Sequence, residues 1–279
     1  MADYSITFSN GRIRFADCLT ELAKPNSEQE VHTHHDEMEL YWFLDGNLFF
    51  AFEGERIPVN PGDVILIGSG MLHKPVLKSK CRYHRKRILF CRETFSDYCP
   101  GGMTLYYRLG ARRIVHLSAQ CIREQGLNAL LDRVFLEGKD TSEYGQFRTV
   151  TTLCYFLMTA EAVSPEAPEI GNGLPTGKAG SLIQYIEDNL ASDLSYQTLA
   201  AQANLSVKSL YQFFRQETGF TLGNYIQHRR IMKAKSLLNA GISAGAAAAE
   251  VGFRDYSVFY RCFLRQTGMT PREYGARNR

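Results

Sequence analysis

The 279-residue sequence predicts an α+β multidomain protein: an amino-terminal antiparallel β-barrel with a helical pair, then an all-α carboxy-terminal head. Three observations predict it. Residues 31 to 77 alternate short apolar runs with tight-turn signals, the rhythm of strands in a small barrel. Residues 164 to 180, S-P-E-A-P-E-I-G-N-G-L-P-T-G-K-A-G, hold three prolines and four glycines without apolar periodicity and read as a linker. Beyond the linker a pattern recurs at a constant offset, the mark of a head built from two like units. The expected boundaries are therefore 1–163, 164–180 and 181–279, in keeping with about 100 to 200 residues per domain.

In the barrel, the runs E-L-Y-W-F-L, L-F-F-A-F and V-I-L-I-G are separated by D-G-N, E-G-E-R and N-P-G-D. Ahead of them, H-T-H-H-D-E-M-E-L, residues 32 to 40, sets three histidines and three carboxylates in nine positions. Imidazoles and carboxylates at that density suit either a divalent transition metal or a polar ligand. The candidate pocket residues are His32, His34, His35, Glu39, Tyr41, Trp42 and the later His73, with Tyr41, Trp42 and Phe43 as a stacking wall. The run K-S-K-C-R-Y-H-R-K-R, 78 to 87, reads as an exposed hairpin strand with its charges in water. Residues 118 to 137 and 143 to 161 read as two amphipathic helices, with Ile122, Leu127, Leu130, Leu131, Val134 and Phe147, Val150, Leu153, Leu157 at helical spacing. They pack on the barrel, form a dimer face, or do both.

In the head, Leu210-Tyr211, Phe214, Thr218-Gly219, Thr221 and Tyr225 recur as Phe259-Tyr260, Phe263, Thr267-Gly268, Thr270 and Tyr274, at an offset of 49. Each copy reads as a short helix, a turn, and a second helix opened by a capping residue, Ser206 in one and Asp255 in the other. That is the helix-turn-helix unit. Leu210, Phe213 and Phe214, and likewise Phe259, Cys262 and Phe263, follow the spacing of a buried face. The outward residues are Lys208, Ser209, Tyr211, Gln212 and Arg215 in the first copy, and Ser257, Tyr260, Arg261 and Arg265 in the second. Lys, Arg and Gln have the donor geometry for guanine and adenine edges, and Ser and Tyr suit phosphates.

Residues 222 to 239 read as a connecting helix roughly 27 Å long at about 1.5 Å per residue, enough to hold two reading helices near the roughly 34 Å pitch of B-DNA. Its Arg229, Arg230, Lys233 and Lys235 are placed for the DNA backbone, although Arg230 equally suits a structural ion pair. In the second unit, within A-A-A-A, 246 to 249, Ala247-Ala248 stand where the first unit has Leu199-Ala200, so a looser core is anticipated there.

Charge separates the two parts. Residues 178 to 279 carry 13 Lys and Arg against 7 Asp and Glu, a net +6, whereas residues 1 to 177 carry a net −3. The head is thus the part suited to a polyanion such as double-stranded DNA. The seven dispersed cysteines include no C-x-x-C pair, which argues against a disulfide framework or zinc finger. A start without a basic and apolar leader, and the lack of a long apolar run, lead to the expectation of a cytoplasmic protein with no membrane partner. No Walker loop or G-x-G-x-x-G is present, and the sequence reads as a non-enzyme.

Residues 181 to 275 resemble the DNA-binding domain of the AraC/XylS family of transcription regulators. The motif that carries the resemblance is G-F-R-D-Y-S-V-F-Y-R-C-F-L-R-Q-T-G-M-T-P-R-E-Y, residues 252 to 274, with Y-I-Q-H-R-R-I-M-K-A-K-S-L-L before it. The resemblance implies base-reading positions at Lys208, Tyr211, Gln212, Ser257 and Arg261, a homodimer, and contact with RNA polymerase. Leu264 departs from it, standing where a basic residue is usual. The pattern of His32, His34, Glu39, Gly46, P-G-D and His73 resembles the cupin barrel, with Asn26 where that pattern has glycine. That resemblance implies a metal set of His32, His34, Glu39 and His73. In regulators of this kind such arms bind sugars or other small effectors. The expectation is therefore an effector-controlled DNA-binding regulator without a cofactor, a small sugar-like effector sitting in the barrel. The alternatives are a metal-dependent cupin enzyme with an accessory DNA-binding domain, and a regulator that acts without ligand.

Overall fold

The computed structural model describes residues 2–7, 12–23, 34, 37–52, 55–96, 98–112, 114–164 and 177–277. His32, His35 and Asn26 lie outside them, as does most of the expected linker. The strands are β1 (Ala2–Thr7), β2 (Arg12–Ala23), β3 (Glu37–Asp45), β4 (Leu48–Phe52), β5 (Glu55–Pro58), β6 (Val64–Ile67), β7 (His73–Leu77), β8 (Cys81–Cys91) and β9 (Ile114–Leu117). They form a six-stranded sheet in the order β1-β2-β8-β3-β6-β9 and a three-stranded sheet in the order β5-β4-β7.

Strand parity divides the apolar residues between two cores. The odd residues of β3, Tyr41 and Phe43, join Phe50, Phe52, Ile57, Ile65, Ile67 and Tyr83 between the two sheets. The even residues Met38, Leu40 and Trp42 join Ile13, Phe15, Leu66, Ile88 and Phe90 on the far face of the large sheet. Helices cover that face: α1 (Pro100–Ala111), α2 (Ala119–Glu124), α3 (Leu127–Glu137) and α4 (Glu143–Val163).

Three expectations are corrected. The helix expected over 118–137 is two, because Gly126 takes a left-handed φ of 64° between α2 and α3. Helix α1 was not anticipated. The basic run 78–87 is not an exposed hairpin strand: β8 lies between β2 and β3, and three of its basic side chains are partnered, Arg82 with Asp45, His84 with Asp17 at 2.7 Å and Lys86 with Asp132.

The head comprises α5 (Gly177–Asp188), α6 (Tyr196–Gln202), α7 (Val207–Thr218), α8 (Leu222–Asn239), α9 (Ala244–Glu250), α10 (Tyr256–Thr267) and α11 (Pro271–Arg277). Helix α5 begins inside the segment read as linker. Each helix from α6 to α10 starts on a side-chain cap, at Ser195, Ser206, Thr221, Ser243 and Asp255. Such caps contribute about 1 kcal/mol each. The Thr-Gly of the repeat has a structural reason in both copies. Thr218 donates to the Phe214 carbonyl at 2.7 Å and accepts from Phe220 N, while Thr267 donates to the Phe263 carbonyl and accepts from Met269 N. The glycine after each threonine closes its helix at positive φ, 78° at Gly219 and 70° at Gly268.

The three-stranded sheet joins barrel to head. Its outward Ala51, with Leu72, belongs to the core of the first unit around Leu199, Leu210, Phe214 and Phe220. Arg56 Nε donates to the Glu217 carbonyl at 3.1 Å.

Candidate functional site

Two sites emerge, one inside the barrel and one on the head. In the barrel, β3 aims Glu39 between the sheets and β7 begins at His73 opposite it. Glu39 Oε2 lies 2.8 Å from His34 Nε2 and 2.9 Å from His73 Nε2. His73 Nδ1 is 2.9 Å from the Met71 carbonyl, which only accepts, so Nδ1 carries a hydrogen. Burial alone would raise the Glu39 carboxyl, but hydrogen bonds from His34 and His73 hold it well below its ordinary value. Deeper in, Tyr41 and Tyr83 share a 2.5 Å hydroxyl contact, and burial followed by the Tyr83 neighbour pushes the Tyr41 phenol well up. Phe50 stacks on the His73 ring at 5.8 Å.

The ligand atoms of His34, Glu39 and His73 lie within 4.8 Å of one another. Two imidazoles and a carboxylate are a sound donor set for zinc, iron, manganese or nickel. The residues present therefore fit a divalent metal, which would supply Lewis-acid polarisation if bound. A proton on His73 Nε2, in addition to that on Nδ1, satisfies the same contacts without metal.

Of the pocket residues read from the sequence, His34, Glu39, Tyr41 and His73 come together between the sheets. Trp42 does not. As an even residue of β3 it faces the helices, with Lys86 Nζ 5.0 Å from its ring. Placing it beside Tyr41 neglected the alternation of side chains along a strand. Sequence reading missed Arg85 and Arg87, which share the inward face of β8 with Tyr83, and period-2 counting from Tyr83 would have found them.

On the head, α7 leaves Lys208, Ser209, Tyr211, Gln212 and Arg215 exposed, and α10 leaves Ser257, Arg261 and Arg265 exposed with Tyr260 half-buried. Tyr211 packs on Tyr196 at 4.8 Å between ring centroids. Two of the arginines also have protein neighbours that the sequence did not suggest. Arg215 lies near Lys74 of the barrel, whose ammonium is lowered by burial and then by that arginine. Arg265 Nη2 donates to Gln227 Oε1 of α8 at 3.3 Å.

The connecting helix is the expected 18 residues, yet most of its cations are structural. Arg229 pairs with Glu187 at 2.7 Å. Arg230 donates to the carbonyls of Leu190 and Ser192 and lies over the Phe253 ring, so it ties the two units together. Lys235 is buried against Tyr274. Only Lys233, of the four, stands exposed for a DNA backbone.

Comparison with known proteins agrees with both halves. Residues 199–277 match a helix-turn-helix domain family and residues 19–84 match a cupin domain family. The HTH-type transcriptional activator RhaR of Mannheimia succiniciproducens is 23% identical over 248 residues, 87% of this chain and 86% of that protein. The arabinose operon regulatory protein of Salmonella typhimurium is 24% identical over 228 residues, 80% of this chain and 78% of its own. RhaR of Yersinia pseudotuberculosis is 34% identical over 106 residues, 37% of each chain. The crystal structure of the DNA-binding domain of AdpA with a target DNA covers 34% of this chain and 87% of its own, at 28% identity and a TM-score of 0.34.

The fold and its two sites are those of a helix-turn-helix protein with an amino-terminal cupin domain. Over most of its length the chain is similar to regulators of the AraC type. The relatives named here are activators and regulatory proteins rather than enzymes. Among the described residues no helix is long and apolar enough to cross a membrane.

Proposed function

We propose that this chain is a sequence-specific transcription activator of the cytoplasm, dimeric, controlled by a small polar effector held against His34, Glu39, Tyr41 and His73. The observation that carries the reading is the paired head: two helices, α7 and α10, each opened by a side-chain cap and closed by a Thr-Gly turn, present Lys208, Tyr211, Gln212, Ser257 and Arg261 outward from one connecting helix. Two such helices on a basic domain suit successive major grooves. The Salmonella relative is named for an arabinose operon, which supports a sugar-like effector. On α4, Tyr144, Phe147, Tyr155 and Met158 are exposed along one side, and this stripe supports a helix-to-helix dimer, a large apolar patch being a mark of interaction surfaces. RNA polymerase is the further partner this reading requires.

The test is DNA selection from a random library with the full chain, followed by footprinting on a promoter that carries the selected site, with and without cell extract as effector source. Two protected half-sites about one helical turn apart are expected. Enrichment of no sequence sinks the reading. A His34→Ala, Glu39→Ala variant should keep the footprint and lose its response to extract.

A second reading is favoured by the 4.8 Å cluster of His34, Glu39 and His73: a divalent metal bound as part of the effector site. Metal analysis of the purified chain separates the two, since stoichiometric metal that the same variant loses supports the second and undetectable metal removes it.

A further inference from the structure

Among the described residues, the inward face of the six-stranded sheet carries more guanidinium groups than carboxylates, an excess of positive charge that a neutral sugar leaves unmatched. Residues directly opposite on neighbouring strands share a face, so the register defines this wall row by row. One row is Arg14, Leu89, Glu39 and Ile67; the next is Ala16, Arg87, Tyr41 and Ile65; the third is Cys18, Arg85 and Phe43. Arg12 and Glu37 extend it at the near end, where Arg12 Nε lies 3.4 Å from Glu37 Oε1 and Arg14 also pairs with Glu37. Across residues 12–18, 37–43, 64–67 and 83–91, this face therefore presents four guanidinium groups and two carboxylates.

The pairing is uneven. Glu37 is shared by Arg12 and Arg14, and Glu39 Oε2 is already taken up by the two imidazoles. Among the described residues Arg87 comes no nearer to a carboxylate than 3.8 Å, from Nη1 to Glu39 Oε1, and its buried Nε has no hydrogen-bond partner. Arg85 lies over the Tyr83 ring. The wall is also graded in access. Tyr41, Phe43 and Tyr83 are sealed at 0–1% exposure, whereas the side chains of Arg87 and Arg14 are 22% and 39% exposed, so the charged end faces outward.

Holding the Arg87 guanidinium in a partly dry wall with its buried Nε unpartnered is unfavourable unless an anion completes its hydrogen bonds. Arginine is the side chain whose planar fork matches a carboxylate or phosphate. We infer that the effector is a small anionic polyhydroxy compound, its carboxylate or phosphate held by Arg87 with Arg85, its hydroxyls by Glu39, His34 and Tyr41. This rests on the reading of the barrel as the sensing site and specifies its ligand class as a sugar acid or sugar phosphate in place of a neutral sugar.

D-Galactose, D-galacturonate and D-galactose 6-phosphate are matched probes, differing at C6 as alcohol, carboxylate and phosphate. The thermal midpoint of the full chain is measured with each at ionic strength fixed by sodium chloride. A rise of a few degrees is expected with at least one anionic probe and none with galactose, and which anion acts tells carboxylate from phosphate. Arg87→Met should abolish the rise, and Arg87→Lys, which keeps the charge but not the fork, should weaken it. If Arg87→Met does not fold, the lysine variant with the same probes still decides. Galactose acting as strongly as the acids overturns the anionic class and leaves the sensor reading standing. Absence of any rise with both anions also overturns it, while the sensor reading is judged separately by the response of the His34→Ala, Glu39→Ala variant to extract.

Discussion

Gly219 closes the first reading helix at φ 78°, and a β-carbon placed there would stand 2.7 Å from the Ala51 methyl of the barrel. Gly268, its counterpart in the second unit, has φ 70°, and a β-carbon there would meet nothing within 4 Å among the described residues. The same sequence motif therefore does one job in the second unit and two in the first, where the closing turn is also the seat of the barrel.

The pair makes a controlled test of the contact. Gly268→Ala should cost roughly 1–2 kcal/mol, the strain of a left-handed alanine. Gly219→Ala should cost more, because backbone strain and the clash with Ala51 add. Denaturant unfolding of the full chain reads both, and Ala51→Gly should recover part of the second cost and none of the first. Equal costs would show that barrel and head are not seated together in solution.

On DNA, Lys208→Ala and Arg261→Ala should each lose about 1–3 kcal/mol of discrimination between the selected site and a scrambled duplex. Arg265→Ala should lose less, since its guanidinium is engaged by Gln227. Titrations over a range of salt distinguish a lost base contact from a lost phosphate contact, which weakens both duplexes alike. Unchanged affinity in both principal variants would remove them from the reading surface.

The pH response of the barrel follows from Glu39. Its carboxyl lies below the unfolded value of 4.5, so the stability it contributes is complete above that value and is lost as pH falls through the folded pKa. The gap in thermal midpoint between wild type and Glu39→Gln should therefore be full at neutral pH and close below 4.5. A gap that widens toward acid would mean that the carboxyl is protonated in the fold.

Ala247 is fully buried among Ile231, Leu238, Phe259 and Phe263, at the position that Leu199 fills in the first unit. The smaller side chain implies a less firmly held helix α9, since truncating a buried leucine costs about 2–5 kcal/mol when neighbours do not close in. Ala247→Leu should raise the thermal midpoint and slow hydrogen exchange in α9. A lowered midpoint would mean that Phe253 and Phe259, 5.3 Å apart, already fill the space.

Placing Glu at Tyr144 and Tyr155 together should give a monomer by sedimentation while leaving the far-UV spectrum intact, because both side chains are exposed on α4. If the wild-type chain is itself monomeric at micromolar concentration, the stripe is not a dimer face.

The sequence alone determined whatever depends on short-range pattern. The repeat at offset 49, the caps Ser206 and Asp255, and the 18-residue span of α8 are local, since a capping hydroxyl, a closing glycine and a helical stripe act within a few residues of one another. The gathering of His34, Glu39 and His73 was legible because the cupin-like pattern names those positions. Tertiary structure decided what long-range pairing controls. Whether a lysine or arginine meets DNA or a protein carbonyl depends on segments tens of residues away, and so Arg230 went to Leu190 and Ser192 and Arg229 to Glu187. Trp42 and Tyr41 are neighbours in sequence, yet they lie in different cores, because the pleat sends successive side chains to opposite faces and only the partner layers say which face is the barrel interior. Arg85 and Arg87 are ordinary members of a basic run until β8 is placed between β2 and β3, and that pairing turns their side chains inward beside Glu39.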